Sequence, residues 1–172
     1  MAAVVGTLCI GLIAARITER AQRRRQDREL REQIIVDMTQ TATALYLATQ
    51  RYWRATKREA APPDRVAALR ESLDEHYHSA RVAGEALETR LRIYFASDAP
   101  RRLWHATMDL LTVRYFQVID LATDNLLSAN AGDEHSGLSV EALRNAQTVL
   151  DTYRARLIDA TRAVLAAPRI AG

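Results

Sequence analysis

Glu75 and His78 stand three residues apart in the stretch Asp74-Glu75-His76-Tyr77-His78. On a helix that spacing puts a carboxylate and an imidazole on one face. It is the half-motif with which carboxylate-bridged di-iron bundles hold their metals. The chemistry needs a second Glu-x-x-His and two more inward glutamates, and neither His105 nor His135 has a glutamate three residues before it. The stretch therefore reads as a polar face with His76 near the core, and no metal is expected. Asp120 and Asp124 lie one turn apart, and with Asp109 they read as an exposed acidic edge. No Gly-rich phosphate loop, nucleophile elbow or zinc-ligand cluster occurs. Ser, His and Asp show no local triad pattern. The single cysteine, Cys9, can form neither an intramolecular disulfide nor a cysteine metal cluster. Catalytic, cofactor-binding and metal residues are thus expected to be absent, and the protein is expected not to be an enzyme.

The elements that carry these residues are expected to be helical. A chain of 172 residues is one domain plus an appendage, and 48% hydrophobic residues exclude a disordered chain. Gly (6) and Pro (4) are scarce, and the β-branched and aromatic clusters of strands are missing. Lys57 is the one lysine among 24 basic residues, which reads as the codon bias of a GC-rich genome. The net charge of +3 is uneven. Residues 16–31 hold seven arginines against Glu19, Asp27 and Glu29, a net of +4, so the remainder carries −1. The folded part is not a basic nucleic-acid-binding surface.

Residues 2–15, AAVVGTLCIGLIAA, carry no charge. A secretory signal peptide needs positive charge ahead of its apolar run, whereas here the arginines follow it. A buried helix would have to hide a run that is apolar on all faces and leads into an arginine cluster. The favoured expectation is a membrane anchor over residues 1–18, single-pass, with the N-terminus outside and the C-terminal domain cytoplasmic by the positive-inside rule. The run is marginal for this role: fourteen residues rise about 21 Å against a hydrocarbon thickness of about 30 Å. Ala3, Thr7, Gly11 and Ala15 recur every four residues, a small-residue stripe through which such helices self-associate.

Residues 19–31 form an arginine-rich neck with good helix formers and no breaker. Glu19 with Arg23 and Asp27 with Arg31 are i,i+4 pairs of the favoured order. Arg16, Arg20, Arg23, Arg24, Arg25, Arg28 and Arg31 are expected to contact anionic lipid, at about 1 kcal/mol per basic residue near a surface. Nucleic acid is not expected, since no aromatic residues interleave the arginines.

Residues 32–168 carry four stripes of apolar residues in steps of three and four, the spacing of one helix face. They run through Ile34, Met38, Thr41, Leu45, Ala48 and Tyr52, then through Val66, Leu69, Leu73, His76, Ala80, Ala83 and Leu87. The third, Trp104, Met108, Leu111, Tyr115, Val118 and Ala122, has Leu103, Leu110, Ile119 and Leu126 beside it. The fourth joins Leu143, Ala146, Leu150, Tyr153, Leu157, Ala160 and Val164. Breaks at Ala61-Pro62-Pro63-Asp64, Ser97-Asp98-Ala99-Pro100 and Asn130 to Gly137 give helices over about 19–58, 64–96, 99–129 and 139–166. The expected fold is all-α: an N-terminal transmembrane and stalk helix continuing into an antiparallel four-helix up-and-down bundle. Of the aromatic pairs Tyr52-Trp53, Tyr94-Phe95 and Tyr115-Phe116, one member each falls in the core by phase.

With its neck AARITERAQRRRQDRELREQ and the break IYFASDAPRRLW between its middle helices, the chain resembles a loosely defined group of small actinobacterial proteins with an N-terminal transmembrane helix and a helical domain. That resemblance implies no activity and transfers no site residues. The function expected from the residues is a non-enzymatic, membrane-anchored interaction or scaffold module, partnered by anionic lipid and by a protein or a second copy. The alternative is a small-molecule- or stress-sensing bundle, for which a pocket between helices lined by Trp104, Tyr115, Tyr77 and Tyr153 would speak.

Overall fold

The absence of proline from residue 2 to residue 56 leaves nothing to interrupt a helix there. In the computed structural model that stretch is one helix, α1 (Ala2–Thr56), followed by α2 (Pro63–Tyr94), α3 (Ala99–Asn130) and α4 (Val140–Ala166). The structure describes residues 2–56, 62–130 and 140–170, and the side chains of 16–56, 62–122 and 148–170. Among these the architecture is all-helical, as the periodicity predicts, apart from one isolated bridge between Phe95 and Arg169. The chain divides into two compact units, residues 1–36 and 37–172.

The helix ends follow from local chemistry. Pro62 is extended (φ −55°, ψ 135°) and Pro63 opens α2, where the missing N–H of proline leaves no partner wanting. No side chain caps this end; instead the Pro62 carbonyl accepts from the amides of Arg65 and Val66. Before α3, the Ser97 hydroxyl accepts from the Ala99 amide at 3.3 Å, as a capping serine does. Asp98 holds Arg101 at 2.6 Å instead. The linker between α2 and α3 is clasped by the chain's end: the Ala96 amide donates to the Pro168 carbonyl, and the Ile170 amide to the Tyr94 carbonyl.

Within residues 37–172 the core is built from the expected faces. All six residues of the first α3 stripe, Trp104 to Ala122, are buried, as are Leu73, Ala80 and Leu87 of α2 and Tyr153, Ala160 and Val164 of α4. On α1 the face is turned slightly from its expected phase: Ala42 is fully buried and Thr41 only half so. Tyr52 and Trp53 are both buried, where one was expected. Trp104 is the largest fully buried side chain, and its indole N–H donates to the Gly84 carbonyl at 3.0 Å. A Cβ at Gly84 would stand 3.2 Å from Cε of Met108, so the end of that side chain would have to shift slightly to admit one. Leu143, Ala146 and Leu126 fall outside the residues whose side chains are described.

The expected single-pass placement in a cell membrane, N-terminus outside and C-terminal domain cytoplasmic, is corrected. Among the described residues no helix is long and apolar enough to cross a membrane. The physical reason is length: α1 continues from the fourteen uncharged residues directly into Arg16, Glu19 and Arg20, before the rise of about 30 Å that a span requires. The stripe Ala3, Thr7, Gly11 and Ala15, and Cys9, lie outside the residues whose side chains are described.

Leu111, 2% exposed in the middle of the α3 stripe, tests the core. Leu111→Ala should destabilise the protein by about 2–5 kcal/mol through lost burial and the cavity left behind. Val82→Ala, at a position 73% exposed, should change stability by less than about 0.5 kcal/mol. Reversible urea unfolding followed by circular dichroism measures both; equal effects would place the core on another face.

Candidate functional site

The Glu75–His78 pair projects outward: both side chains are exposed on α2. Among the described residues no group of three or more His, Cys, Asp or Glu could hold a metal ion. Asp109 and Asp120 are exposed, and Asp124 lies outside the described side chains. His105 stands between two carboxylates, 3.1 Å from Glu88 and 3.4 Å from Asp109, an exposed polar cluster on α2 and α3.

Along the neck, charge is sorted by pairing. Glu19 takes Arg23, Asp27 takes Arg31 and Glu29 takes Arg25, each four residues apart. These three pairs use every acidic residue of the segment. Arg16, Arg20, Arg24 and Arg28 are exposed and enter no ion pair among the described residues. They recur every four positions, so they fan over about 120° of the helix along about 18 Å. Arg31 differs from the others in being half-buried beside Asp27.

The four aromatics expected to line one pocket are divided among three places. Trp104 is buried in the core. Tyr77 of α2 stacks on Tyr115 of α3 with ring centroids 4.0 Å apart, and Phe116, 51% exposed, meets both edge-on. Tyr153 of α4 stacks instead on Tyr46 of α1, centroids 4.9 Å apart and rings within 3° of parallel. The Tyr115 hydroxyl donates to Asp74 at 2.6 Å, and Arg70 donates to both oxygens of the same carboxylate. Burial alone would raise the Asp74 pKa; Tyr115 and Arg70 outweigh it and hold the carboxylate below its usual value. Burial and the Asp74 charge push the Tyr115 phenol up to about 12.

A second group of side chains went unnoticed in the sequence. Arg114 of α3 is 8% exposed, lies with its guanidinium 5.7 Å from the centre of the Trp53 ring, and has no carboxylate partner among the described residues. A cation over an indole face gains about 0.5–2 kcal/mol, less than burial of an unpaired charge ordinarily requires. Desolvation accordingly lowers its pKa, opposed by Tyr46. The Gln50 amide donates to the Tyr46 hydroxyl at 2.6 Å, and the charges of Arg154, Arg114 and Arg54 act to lower the pKa of that phenol. Burial still raises the Tyr46 pKa against them. The signal for Arg114 was available: Trp104, Thr107, Leu111, Arg114 and Val118 step by three, four, three and four, and all five are buried. Compared with family models, curated proteins and solved structures, the chain matches none.

Removing the Tyr115 hydroxyl gives a pH signature. Tyr115→Phe should destabilise by about 1 kcal/mol at neutral pH, the size of a hydrogen bond to a half-exposed carboxylate. The folded Asp74 pKa is depressed, so the contribution is complete above about 3.8 and lost as pH falls through the folded value. The wild type should therefore lead the variant at pH 6 and converge with it near pH 2 in urea titrations. A gap that stays constant with pH would contradict the Asp74 pairing.

Proposed function

We propose that the protein is a non-enzymatic helical interaction module whose neck and the arginine that precedes it, within residues 16–31 of α1, meet an anionic lipid surface. One observation carries the reading: the acidic residues of the neck are consumed in three ion pairs, and Arg16, Arg20, Arg24 and Arg28 are left exposed and unpaired at intervals of four. Unpaired arginines keep their full field, whereas paired ones present little net charge beyond their partner. At about 1 kcal/mol per basic residue, four supply about 4 kcal/mol of attraction near an anionic surface. That attraction decays over about 10 Å at 0.1 M salt. In this reading the helices of residues 37–172 run up and down in turn, as short connections between successive helices favour. The bundle is the part displayed to a protein partner or a second copy.

A second reading, a small-molecule-sensing bundle, is favoured by one feature: Arg114 is more than nine-tenths buried and has no carboxylate partner among the described residues.

Sedimentation of the full chain with phospholipid vesicles tests the first reading. Vesicles containing phosphatidylglycerol should carry the protein down, purely zwitterionic vesicles should not, and 0.5 M sodium chloride should release it. Replacing Arg16, Arg20, Arg24 and Arg28 together by glutamine should abolish binding. Equal binding to zwitterionic vesicles, or retention by the fourfold variant, would contradict the assignment. Displacement from the vesicles by duplex DNA with tighter binding to the DNA would point to a different polyanion and equally overturn it.

A further inference from the structure

On the ligand-sensing reading, we propose that Arg114, together with Arg54 and Arg154, binds the phosphate group of a small molecule where α1, α3 and α4 come together. The junction is fixed by two contacts: Tyr46 of α1 stacks on Tyr153 of α4, and Arg114 of α3 lies over Trp53 of α1. Arg54 follows Trp53 on α1 and Arg154 follows Tyr153 on α4; both are exposed, and their charges lower the Tyr46 pKa as that of Arg114 does. None of the three arginines is in an ion pair among the described residues. Elsewhere in residues 37–172, Arg70, Arg81, Arg90 and Arg101 each meet a carboxylate. Arg51, Arg65, Arg92 and Arg156 also enter no ion pair among the described residues, but they are exposed; Arg114 is 8% exposed and lacks a counter-charge.

The chemistry of the donors selects the ligand. A guanidinium offers N–H groups in a planar fork that matches two oxygens of a phosphate or carboxylate at once. Three such forks exceed what one carboxylate can neutralise, and they suit the doubly charged terminal phosphate of a monoester. The amide of Gln50 and the hydroxyls of Tyr46 and Tyr153 are further hydrogen-bonding groups at the junction. The stacked phenols and the Trp53 ring flank it with aromatic surface for an organic remainder. Binding would give Arg114 the counter-charge it lacks in the bundle. The site shares no residue with the neck, so vesicle attachment and phosphate binding can fail independently.

Isothermal titration of the full chain with inorganic phosphate, at constant ionic strength in chloride, is the direct test. Glycerol 3-phosphate as a second titrant distinguishes an esterified headgroup from the free ion. Saturable binding is expected, weakened at least about tenfold in Arg114→Gln. Arg114→Lys should lose most of it too, since it keeps the charge but not the fork. If Arg114→Gln fails to fold, Arg154→Gln and Arg54→Gln carry the test on exposed side chains; each should weaken binding, whereas Arg92→Gln on α2 should not. No saturable binding of either titrant, or equal loss in Arg92→Gln, would overturn the site. Binding of succinate in place of phosphate, lost in Arg154→Gln, would overturn the phosphate assignment and leave a ligand-sensing bundle standing.

Discussion

Each residue of an α-helix turns about 100° from the one before it, and three or four residues return a side chain to the same face. That single constraint arranges nearly everything in this protein. Apolar side chains in steps of three and four form the buried faces of residues 37–172. Oppositely charged side chains four apart close on one another along the neck. Arg16, Arg20, Arg24 and Arg28 recur at the same interval of four and enter no ion pair among the described residues. Where a partner is missing in the buried register, as at Arg114, the helix carries a cation inward with only an indole face to meet it.

Charge pairing separates the two regions that we assign to binding from much of the rest of the surface. Arg70, Arg90 and Arg101 tie helices to their own or neighbouring carboxylates; they fix structure and present little field. The neck and the Arg54–Arg114–Arg154 group hold arginines that enter no ion pair among the described residues, as do the exposed and scattered Arg51, Arg65, Arg92 and Arg156. The two regions differ in solvation. The neck arginines are exposed, so their attraction is long in reach and easily screened by salt. Arg114 is desolvated, so its attraction is short in reach and depends on geometry. An extended anionic surface suits the first, and a single compact anion suits the second.

Much of the fold was legible in the sequence because it depends on periodicity. The six residues of the first α3 stripe are all buried, although Thr107 and Arg114 on the same face were not read, and the helix ends near Pro62, Pro63 and Pro100 follow from what proline does to the backbone. Thr41 and Ala42 show the resolution of such reading: a strict alternation of three and four cannot say which of two adjacent positions a slowly drifting face selects. The aromatic residues were harder. Periodicity places Tyr115 and Tyr153 on inward faces, but which helix meets which is decided by packing, and the structure sends Tyr153 to Tyr46 and Tyr115 to Tyr77. The clasp between Tyr94–Ala96 and Pro168–Ile170 involves backbone groups, which leave no side-chain pattern to read. At the N-terminus hydrophobicity suggested a span, while length, the stricter physical requirement, was short.

The central claim is that pairing, and not the number of arginines, decides which part of the neck acts. The most direct measurement compares vesicle affinity for two double variants of equal net charge: Arg20→Gln with Arg24→Gln, and Arg23→Gln with Arg25→Gln. If the unpaired arginines carry the contact, the first variant loses most of its affinity for anionic vesicles and the second keeps most of it. Equal losses in the two would show that the neck acts through its summed charge alone, and would contradict the account.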